Sequence, residues 1–275
     1  MLSINSKLKL NDGNFMPMLG FGTWKIPDGK PVEDCVYVAL KTGYRLIDTA
    51  SIYDNERGVG NAIRKAIESG IPRKEIFVTT KLWNTDHDNI ENAFNESLNR
   101  LGLEYIDLYL MHWPVIGKRI NSWKKFKELL NTGKVKSIGV SNFTIKQLKE
   151  LISETGIIPA VNQVEFSPWL YQKELLDFCS EKNIVLEAYS PLTRGKMLSD
   201  PELISISKKY NKSPAQIILR WVLQHNVAAI PKSTDKEKIK ENANIFDFEI
   251  KSEDMHLLDS FNKNLRFCWN PEELD

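Results

Sequence analysis

Residues 134–152 contain one complete unit of the predicted fold, with the sequence KVKSIGVSNFTIKQLKELI. The run Lys136–Val140 is short, apolar and β-branched, which predicts a strand. Apolar residues then recur at three- and four-residue spacing, which predicts an amphipathic helix beginning near Thr144. Ser141 and Asn142 lie between the two patterns, and we expect them to cap the helix. The stretch therefore predicts a strand that leads directly into a helix.

The same alternation of apolar runs and amphipathic segments continues along the whole chain. The predicted strands are Met18–Phe21, Leu46–Asp48, Ile76–Thr80, Ile106–His112, Lys136–Val140, Ala160–Val164, Val185–Tyr189 and Val227–Ile230. The predicted helices begin near Val32, Asn55, Asp88, Asn121, Thr144, Tyr171, Asp200 and Lys236. Ser213-Pro214 also signals a helix start, because proline is favoured at the first helical position. Units repeating at roughly thirty-residue spacing predict an α/β fold, a closed (β/α)8 TIM barrel, as a single domain over residues 1–275.

A β-hairpin is predicted before the first unit. Leu8–Leu10 and Phe15–Met16 flank the segment Asn11-Asp12-Gly13-Asn14, whose residue types suit a turn with positive φ. The competing fold is a doubly wound sheet, which would favour a GxGxxG motif after an early strand. Gly20-Phe21-Gly22 continues as Thr23-Trp24-Lys25, with no third glycine and no helix opening on it. The barrel is therefore the preferred prediction.

Composition excludes several classes of protein. The net charge of +1 provides no general attraction for nucleic acid or anionic membranes. No run approaches the ~18 apolar residues of a membrane helix, and the N-terminal sequence lacks an apolar signal core. Cys35, Cys179 and Cys268 are far apart, which fits a reducing compartment. We expect a cytoplasmic monomer acting on a small molecule, with no metal site because no ligand cluster has metal-binding spacing.

Polar side chains end or follow the predicted strands, at the end of a barrel where functional residues lie. Asp48 and Tyr53 follow the second strand, Lys81 the third and His112 the fourth. An ammonium lowers the pKa of a neighbouring phenol, and a carboxylate keeps that ammonium charged. A histidine can donate a hydrogen bond to a carbonyl oxygen that gains charge. Singly, Asp48 would be a turn cap and Lys81 solvent-facing. Together the four residues suit carbonyl reduction, in which carbon receives a hydride and oxygen a proton.

A candidate anion site follows the last predicted strand. Lys232 comes directly after an apolar run and a proline, and Ser233 and Thr234 add hydroxyl donors. Barrels commonly bind phosphate at this place, next to a helix N-terminus. Lys236 and Lys240 are instead interpreted as a solvated helix face.

Aromatic residues are concentrated after the predicted strands. Four tryptophans are expected to line one mouth of the barrel, the alternative being that they only close its end: Trp24, Trp83, Trp113 and Trp169. Tyr189 ends the seventh strand and offers a ring face to a flat cofactor.

Several of these stretches resemble the signatures of the aldo-keto reductase family. The first is GYRLIDTASIYDNERGVG at residues 43–60, and the second is KSIGVSNF at residues 136–143. The third is IPKS at residues 230–233, followed by Glu241-Asn242. KLW at residues 81–83 and HWP at residues 112–114 also match in place. The resemblance covers nearly the whole chain.

The resemblance implies a reductase of aldehydes and some ketones that binds NADPH without a Rossmann domain, and a hairpin that covers the barrel bottom. It implies Tyr53 as general acid, tuned by Lys81 and Asp48, with His112 orienting the carbonyl. The implied cofactor contacts are Thr23, Trp24, Asp48, Ser141, Asn142, Gln163, Tyr189, Ser190, Leu192, Lys232, Ser233, Thr234, Lys238, Glu241 and Asn242. The implied substrate contacts are Trp24, Tyr53, Trp83, His112 and Trp113.

The resemblance also implies which part of the cofactor each group of residues contacts. The resemblance implies that Ser141, Asn142 and Gln163 hold the nicotinamide carboxamide and that Tyr189 stacks under the ring. Ser190 and Leu192 would lie along the pyrophosphate. The residues implied at the adenosine 2′-phosphate are Lys232, Ser233 and Thr234, and those at the adenine are Glu241 and Asn242.

The sequence departs from the family pattern at Lys238, where arginine is usual. Arginine has a planar, bidentate fork, whereas lysine is a point charge, so the preference for NADPH over NADH stays open. The segment after Asn262 is short, as in compact microbial members, and its Cys268 and Trp269 either contact substrate or only pack. Two other functions remain as alternatives. One is a cofactor-binding sensor or structural protein with little turnover, and the other is a hydrolase using Asp48 and Glu165.

Overall fold

A β-hairpin and a ring of parallel strands surrounded by helices make up the computed structural model, which describes residues 2–274. The hairpin strands are β1 (Lys7–Lys9) and β2 (Phe15–Pro17), paired antiparallel. The parallel strands are β3 (Gly20–Gly22), β4 (Leu46–Asp48), β5 (Phe77–Leu82), β6 (Ile106–Met111), β7 (Val135–Ser141), β8 (Val161–Glu165), β9 (Val185–Tyr189) and β10 (Ala228–Ala229). They lie side by side in chain order.

Helices connect the strands and cover the outside of the ring. They are α1 (Lys30–Thr42), α2 (Glu56–Glu68), α3 (Ile90–Leu101), α4 (Arg119–Leu130), α5 (Ile145–Thr155), α6 (Lys173–Glu181), α7 (Pro201–Lys209), α8 (Pro214–Gln224), α9 (Lys236–Ala243) and α10 (Ser252–Asp259). The predicted barrel is confirmed. Within residues 2–274, no helix is long and apolar enough to cross a membrane.

The ring closes between its first and last strands. Leu19 and Ala229 form a parallel bridge, and the Gly22 amide donates to the Pro231 carbonyl over 3.1 Å. A β-carbon at Gly22 would lie 2.9 Å from the backbone oxygen of Ile230, so this close approach requires glycine. Closure brings the carboxyl ends of all eight strands to one rim.

Apolar side chains fill the barrel interior and meet the hairpin at its base. Leu10 and Met16 of the hairpin are buried in one cluster with Leu46, Leu108 and other strand residues. The Asn14 side chain donates to the Lys136 carbonyl, which ties the hairpin turn to the start of β7. The predicted N-terminal hairpin is therefore present, at the end of the barrel opposite the strands' carboxyl ends.

Two helix signals had different outcomes. Ser213 caps α8, with Pro214 at the first helical position, as predicted. The prediction that Ser141 and Asn142 cap α5 is wrong. Thr144 is the cap, because its hydroxyl accepts from the Gln147 amide and the Gln147 side chain accepts in return from the Thr144 amide. Helix α10 was not predicted from the sequence.

Candidate active site

The carboxyl-end rim of the barrel collects the polar side chains predicted from the strand ends. Asp48 ends β4, Lys81 lies near the end of β5, and His112 follows β6. Tyr53 ends a short 3-10 helix, Ser51–Tyr53, that follows β4. The carboxyl ends of neighbouring parallel strands thus bring four residues separated by up to 64 positions in sequence to one place.

A buried ion pair forms the floor of the site. The Lys81 ammonium lies 2.7 Å from both Asp48 carboxylate oxygens and 2.8 Å from the Thr49 carbonyl oxygen. Both side chains are almost fully inaccessible to solvent. Burial raises the pKa of Asp48, and the charge of Lys81 together with hydrogen bonds from Lys81 and Gln163 opposes that rise. Three acceptors therefore surround the ammonium and fix its position.

The Tyr53 ring lies between the ion pair and His112. The Lys81 Nζ atom is 5.0 Å from the Tyr53 ring centroid, and the His112 ring meets Tyr53 edge-on at 5.7 Å. Burial raises the pKa of Tyr53 well above its usual value, and the Asp48 charge adds to the rise. The pKa of Tyr53 is therefore not lowered overall as expected, because burial dominates and the Asp48 carboxylate acts in the same direction as burial. At neutral pH Tyr53 is a protonated phenol, the form that an acid needs.

His112 is a neutral imidazole at the same rim. Burial lowers its pKa well below the usual value, and the Lys81 charge acts in the same direction. Its Nδ1 atom is buried and has no hydrogen-bond partner among the described residues. Trp83 packs edge-on against the ring at 5.2 Å. A neutral imidazole held by aromatic neighbours can donate a hydrogen bond to a carbonyl oxygen without adding charge.

An amide cluster occupies the next part of the rim. Asn142 donates to the His112 carbonyl over 3.0 Å and to the Ser141 hydroxyl over 3.1 Å, and accepts from the Tyr189 hydroxyl over 2.8 Å. The Ser141 hydroxyl donates to the Gln163 carbonyl over 2.8 Å. Asn142 has φ of 63°, a left-handed conformation that asparagine tolerates and that ends the strand abruptly. The predicted carboxamide residues are thus brought together as one network.

Sequence reasoning missed Glu187, a fully buried carboxyl group inside the barrel. Its Oε2 atom accepts from Gln163 Nε2 over 2.7 Å. The same nitrogen donates to Asp48 over 2.8 Å. Burial, with a further contribution from the Asp48 charge, raises the pKa of Glu187 to about 8. The available signal was a lone glutamate in the otherwise apolar strand sequence VLEAY.

The raised pKa of Glu187 predicts a pH-dependent stability. Between pH ~4.5 and the folded pKa of about 8, the folded chain holds a proton that the unfolded chain has released. Unfolding then releases a proton, so the free energy of unfolding falls as pH rises, by up to about 1.4 kcal/mol per pH unit. The groups facing Glu187 are Asp48, Lys81, Tyr53 and Gln163. Urea titrations from pH 5 to 8 are expected to show this slope in the wild type and a flatter one in Glu187→Gln. Equal slopes would contradict the assignment.

The C-terminal segment reaches back to the rim through Glu165. The carboxylate of Glu165 accepts from the backbone amides of Phe267 and Cys268, over 2.8 and 3.1 Å. Trp269, which is 71% exposed, packs against Trp113 at 5.8 Å. Both Cys268 and Trp269 therefore lie at the rim. The hydrolase alternative loses its two carboxylates, because Glu165 holds the tail and Asp48 holds Lys81.

The aromatic residues differ in where their rings lie. Trp24 is partly exposed, with Arg194 stacked over its ring at 4.7 Å, and Trp83 and Trp113 lie at the rim. The expectation that Trp169 lines the mouth is wrong. Trp169 is buried and packs against Phe261 at 5.5 Å, because the chain returning from α10 covers it.

The predicted anion site lies at the start of α9. Lys232 and Lys238 are exposed, and the salt bridges among residues 2–274 include neither of them. Lys236 and Lys240 instead pair with Asp34 and Glu237, which agrees with their interpretation as a solvated face. The other predicted cofactor contacts differ in their exposure. Thr234 is exposed, and Thr23 and Asn242 are buried. The half-buried ones are Ser190, Leu192, Ser233 and Glu241.

The Thr23 hydroxyl and the N-terminus of α9 already have hydrogen-bond partners within the protein. The Thr23 hydroxyl donates to the Asp48 carbonyl over 2.9 Å. Asp235 caps α9 and accepts from the amides of Glu237 and Lys238, so the helix N-terminus already holds a carboxylate. Any phosphate here would therefore be bound by the lysine side chains and hydroxyls rather than by the helix end.

Known proteins resemble this chain over nearly its whole length. The Aldo/keto reductase family model matches residues 18–263. A Bacillus subtilis glyoxal reductase is 48% identical over 99% of this chain and 98% of its own length. A Saccharomyces cerevisiae glycerol 2-dehydrogenase (NADP+) is 43% identical over 93% of this chain and 90% of its own. A Bombyx mori aldo-keto reductase solved in complex with NADP has a TM-score of 0.92 and 37% identity, covering 100% of this chain and 98% of the other. The chain belongs to the aldo/keto reductase family.

Proposed function

We propose that Tyr53 is the proton donor in the reduction of aldehydes and some ketones by this chain. As an aldo/keto reductase, the chain is an NADP(H)-dependent oxidoreductase. The observation that carries the residue assignment is the position of the Tyr53 ring, in contact with both Lys81 and His112. No other phenol at the rim has a cation and an imidazole beside it among the described residues.

The rim residues fit a nicotinamide cofactor by the chemistry that they leave free. Ser141, Asn142 and Gln163 offer hydrogen-bond acceptors to a carboxamide. Lys232 and Lys238 offer positive charge to a phosphate, supported by the hydroxyls of Ser233 and Thr234. When bound, NADPH supplies the hydride that the carbonyl carbon receives.

The protein residues handle the carbonyl oxygen. His112, as a neutral imidazole, donates a hydrogen bond that orients this oxygen toward Tyr53. The Tyr53 phenol then transfers its proton to the oxygen as negative charge develops there. Lys81 stabilises the resulting phenolate, and Asp48 holds the ammonium in place. The phenolate recovers its proton from solvent at the rim.

This function is tested by measuring how much alcohol forms for each NADPH consumed. Purified protein with NADPH and an aldehyde is expected to form alcohol in equal amount to the NADPH consumed, measured by absorbance and gas chromatography. Tight NADPH binding with no alcohol from an aldehyde and ketone panel would favour the alternative of a cofactor-binding sensor or structural protein with little turnover.

The exposed Lys232, which follows β10, leads to a prediction about cofactor affinity. Lys232→Met is expected to weaken NADPH binding roughly 10- to 100-fold, because a direct charge–phosphate hydrogen bond contributes about 1.5–3 kcal/mol. NADH binding is expected to stay unchanged, since NADH lacks the 2′-phosphate. Fluorescence titration with both cofactors measures this, with Lys240→Met as the matched control. An equal loss of affinity for both cofactors would contradict the assignment of Lys232.

The tail held by Glu165 is proposed to form part of the substrate pocket. Glu165→Gln is expected to raise the KM for p-nitrobenzaldehyde roughly two- to tenfold, because freeing the tail removes the Trp113–Trp269 wall and its aromatic contact energy of about 0.5–1.5 kcal/mol. The KM for a two-carbon aldehyde should not change. The control is Glu253→Gln on exposed α10. An unchanged KM for the aromatic aldehyde would place the tail outside the pocket.

We further propose that the protein acts as a cytoplasmic monomer. The near-neutral charge and the three separated cysteines support this proposal. Size-exclusion chromatography with light scattering is expected to give one species near 31.6 kDa.

A further inference from the structure

Glu187 is a buried carboxyl group that the proposed proton transfer does not use. It lies on β9 inside the barrel, two residues before Tyr189 and therefore on the same face of the strand. Its side chain is fully inaccessible to solvent. Burying an ionisable group is costly, so its position next to the catalytic floor calls for a function.

Glu187 determines which way the Gln163 amide points. The Gln163 nitrogen has two hydrogens, and both are used, one toward Asp48 at 2.8 Å and one toward Glu187 at 2.7 Å. The Asp48 carboxylate can only accept, and Glu187 Oε2 accepts beside it, so this side takes the nitrogen end of the amide. The oxygen end, Oε1, is therefore left as the group that can meet a ligand.

The neighbouring side chains are fixed in the same sense. Both hydrogens of Asn142 Nδ2 are used, toward the His112 carbonyl and the Ser141 hydroxyl. The Ser141 hydroxyl hydrogen is used toward the Gln163 backbone carbonyl. The donor hydrogens of all three side chains are therefore bonded within the protein, so these side chains offer a ligand only hydrogen-bond acceptors. Such a set of acceptors binds a group with N–H donors, and the NH2 group of a carboxamide is one.

We propose that Glu187 is a positioning residue for the cofactor: by accepting one hydrogen of Gln163, it turns the amide oxygen of Gln163 toward the N–H group of the nicotinamide carboxamide. The inference rests on the proposed cofactor binding at this rim and adds the residue that orients it. Glu187 itself contacts neither substrate nor cofactor.

The geometry also assigns the protonation state in which Glu187 acts. Its second oxygen, Oε1, is buried and has no partner among the described residues. An unpaired oxygen is tolerated more easily in a neutral acid than in a carboxylate, and the Asp48 carboxylate shares the same amide. The raised pKa of Glu187 agrees with a neutral acid at pH 7. A glutamine at this position keeps the acceptor oxygen, whereas a leucine removes it.

The test compares NADP+ with its 3-acetylpyridine analogue, in which a methyl group replaces the carboxamide nitrogen. Dissociation constants at pH 7 are measured by tryptophan fluorescence for wild type, Glu187→Gln, Glu187→Leu and Thr79→Val. Thr79 is a fully buried β5 residue whose hydroxyl has no partner, so its variant controls for a change in the barrel interior. Glu187→Met replaces the leucine variant if that protein does not fold. The ligand 2′-phospho-ADP-ribose, which lacks nicotinamide, reports the rest of the cofactor site.

We expect wild type, Glu187→Gln and Thr79→Val to bind NADP+ about tenfold or more tightly than the analogue, the value of a buried amide hydrogen bond. In Glu187→Leu this preference should largely disappear, while binding of 2′-phospho-ADP-ribose stays as in wild type. Full preference in Glu187→Leu would overturn the assignment of Glu187 alone. Equal binding of the two ligands by the wild type would overturn the carboxamide contact on which it rests. Failure of the wild type to bind NADP+ would overturn the proposed cofactor site.

Discussion

Tyr53→Phe is expected to lower kcat for aldehyde reduction by about 10²–10⁴-fold, the usual contribution of a general acid. The substitution removes only the phenol oxygen and leaves the ring between Lys81 and His112. The dissociation constant for NADPH should therefore stay within about twofold, since the variant loses no group assigned to cofactor binding. Steady-state kinetics and fluorescence titration measure the two quantities.

Tyr37→Phe on α1 provides the matched control, because Tyr37 lies on the outer helix layer and contacts Lys65. Its kcat should equal that of the wild type. If Tyr53→Phe kept full turnover, the proton would have to come from elsewhere. His112 would then be the next donor to test.

Lys81→Met is expected to produce the largest combined loss, in both stability and turnover. Removing one partner of a buried ion pair costs about 3–5 kcal/mol, because the remaining charge is left unpaired in the interior. Here the Asp48 carboxylate would lose its two contacts to the ammonium. The Tm should fall by roughly 5–10 °C for a chain of this size. Turnover should fall at every pH, since the phenolate of Tyr53 loses its stabilising cation.

The double variant Asp48→Asn with Lys81→Met separates stability from catalysis. Neutralising Asp48 removes the unpaired charge, so part of the lost stability should return, measured by urea unfolding. Turnover should stay low, because the lysine is still missing. Recovery of turnover in the double variant would show that Lys81 serves only the fold. An unchanged stability in the single variant would contradict the buried ion pair.

The sequence predicted those features that depend on local pattern and on strand order. The strands β4 and β9 were predicted with their observed bounds because each is a short apolar run ended by a polar residue. Counting units was enough to place Asp48, Lys81 and His112 at one rim, since parallel strands end on the same side of a barrel. The distances between these side chains could not be predicted, because they depend on how the ring of strands closes.

Features that depend on contacts between distant segments were not predictable in this way. Thr144 rather than Ser141 caps α5, because Ser141 is engaged by the Gln163 carbonyl of the next strand. The Glu165 clamp joins residues about a hundred positions apart, and no local pattern signals it. Glu187 had a signal, a charge within an apolar strand, but the groups around it, Asp48, Lys81 and Gln163, come from three other strands.

The most direct test of the central claim is the initial rate of cofactor oxidation with p-nitrobenzaldehyde, comparing NADPH with NADH at equal concentrations. A clearly higher rate with NADPH is the predicted result, because Lys232 and Lys238 are exposed beside the site where the 2′-phosphate is proposed to bind. Equal rates would contradict the proposed phosphate site. No rate with either cofactor, in protein that binds NADPH, would contradict the catalytic assignment of Tyr53, Lys81 and His112.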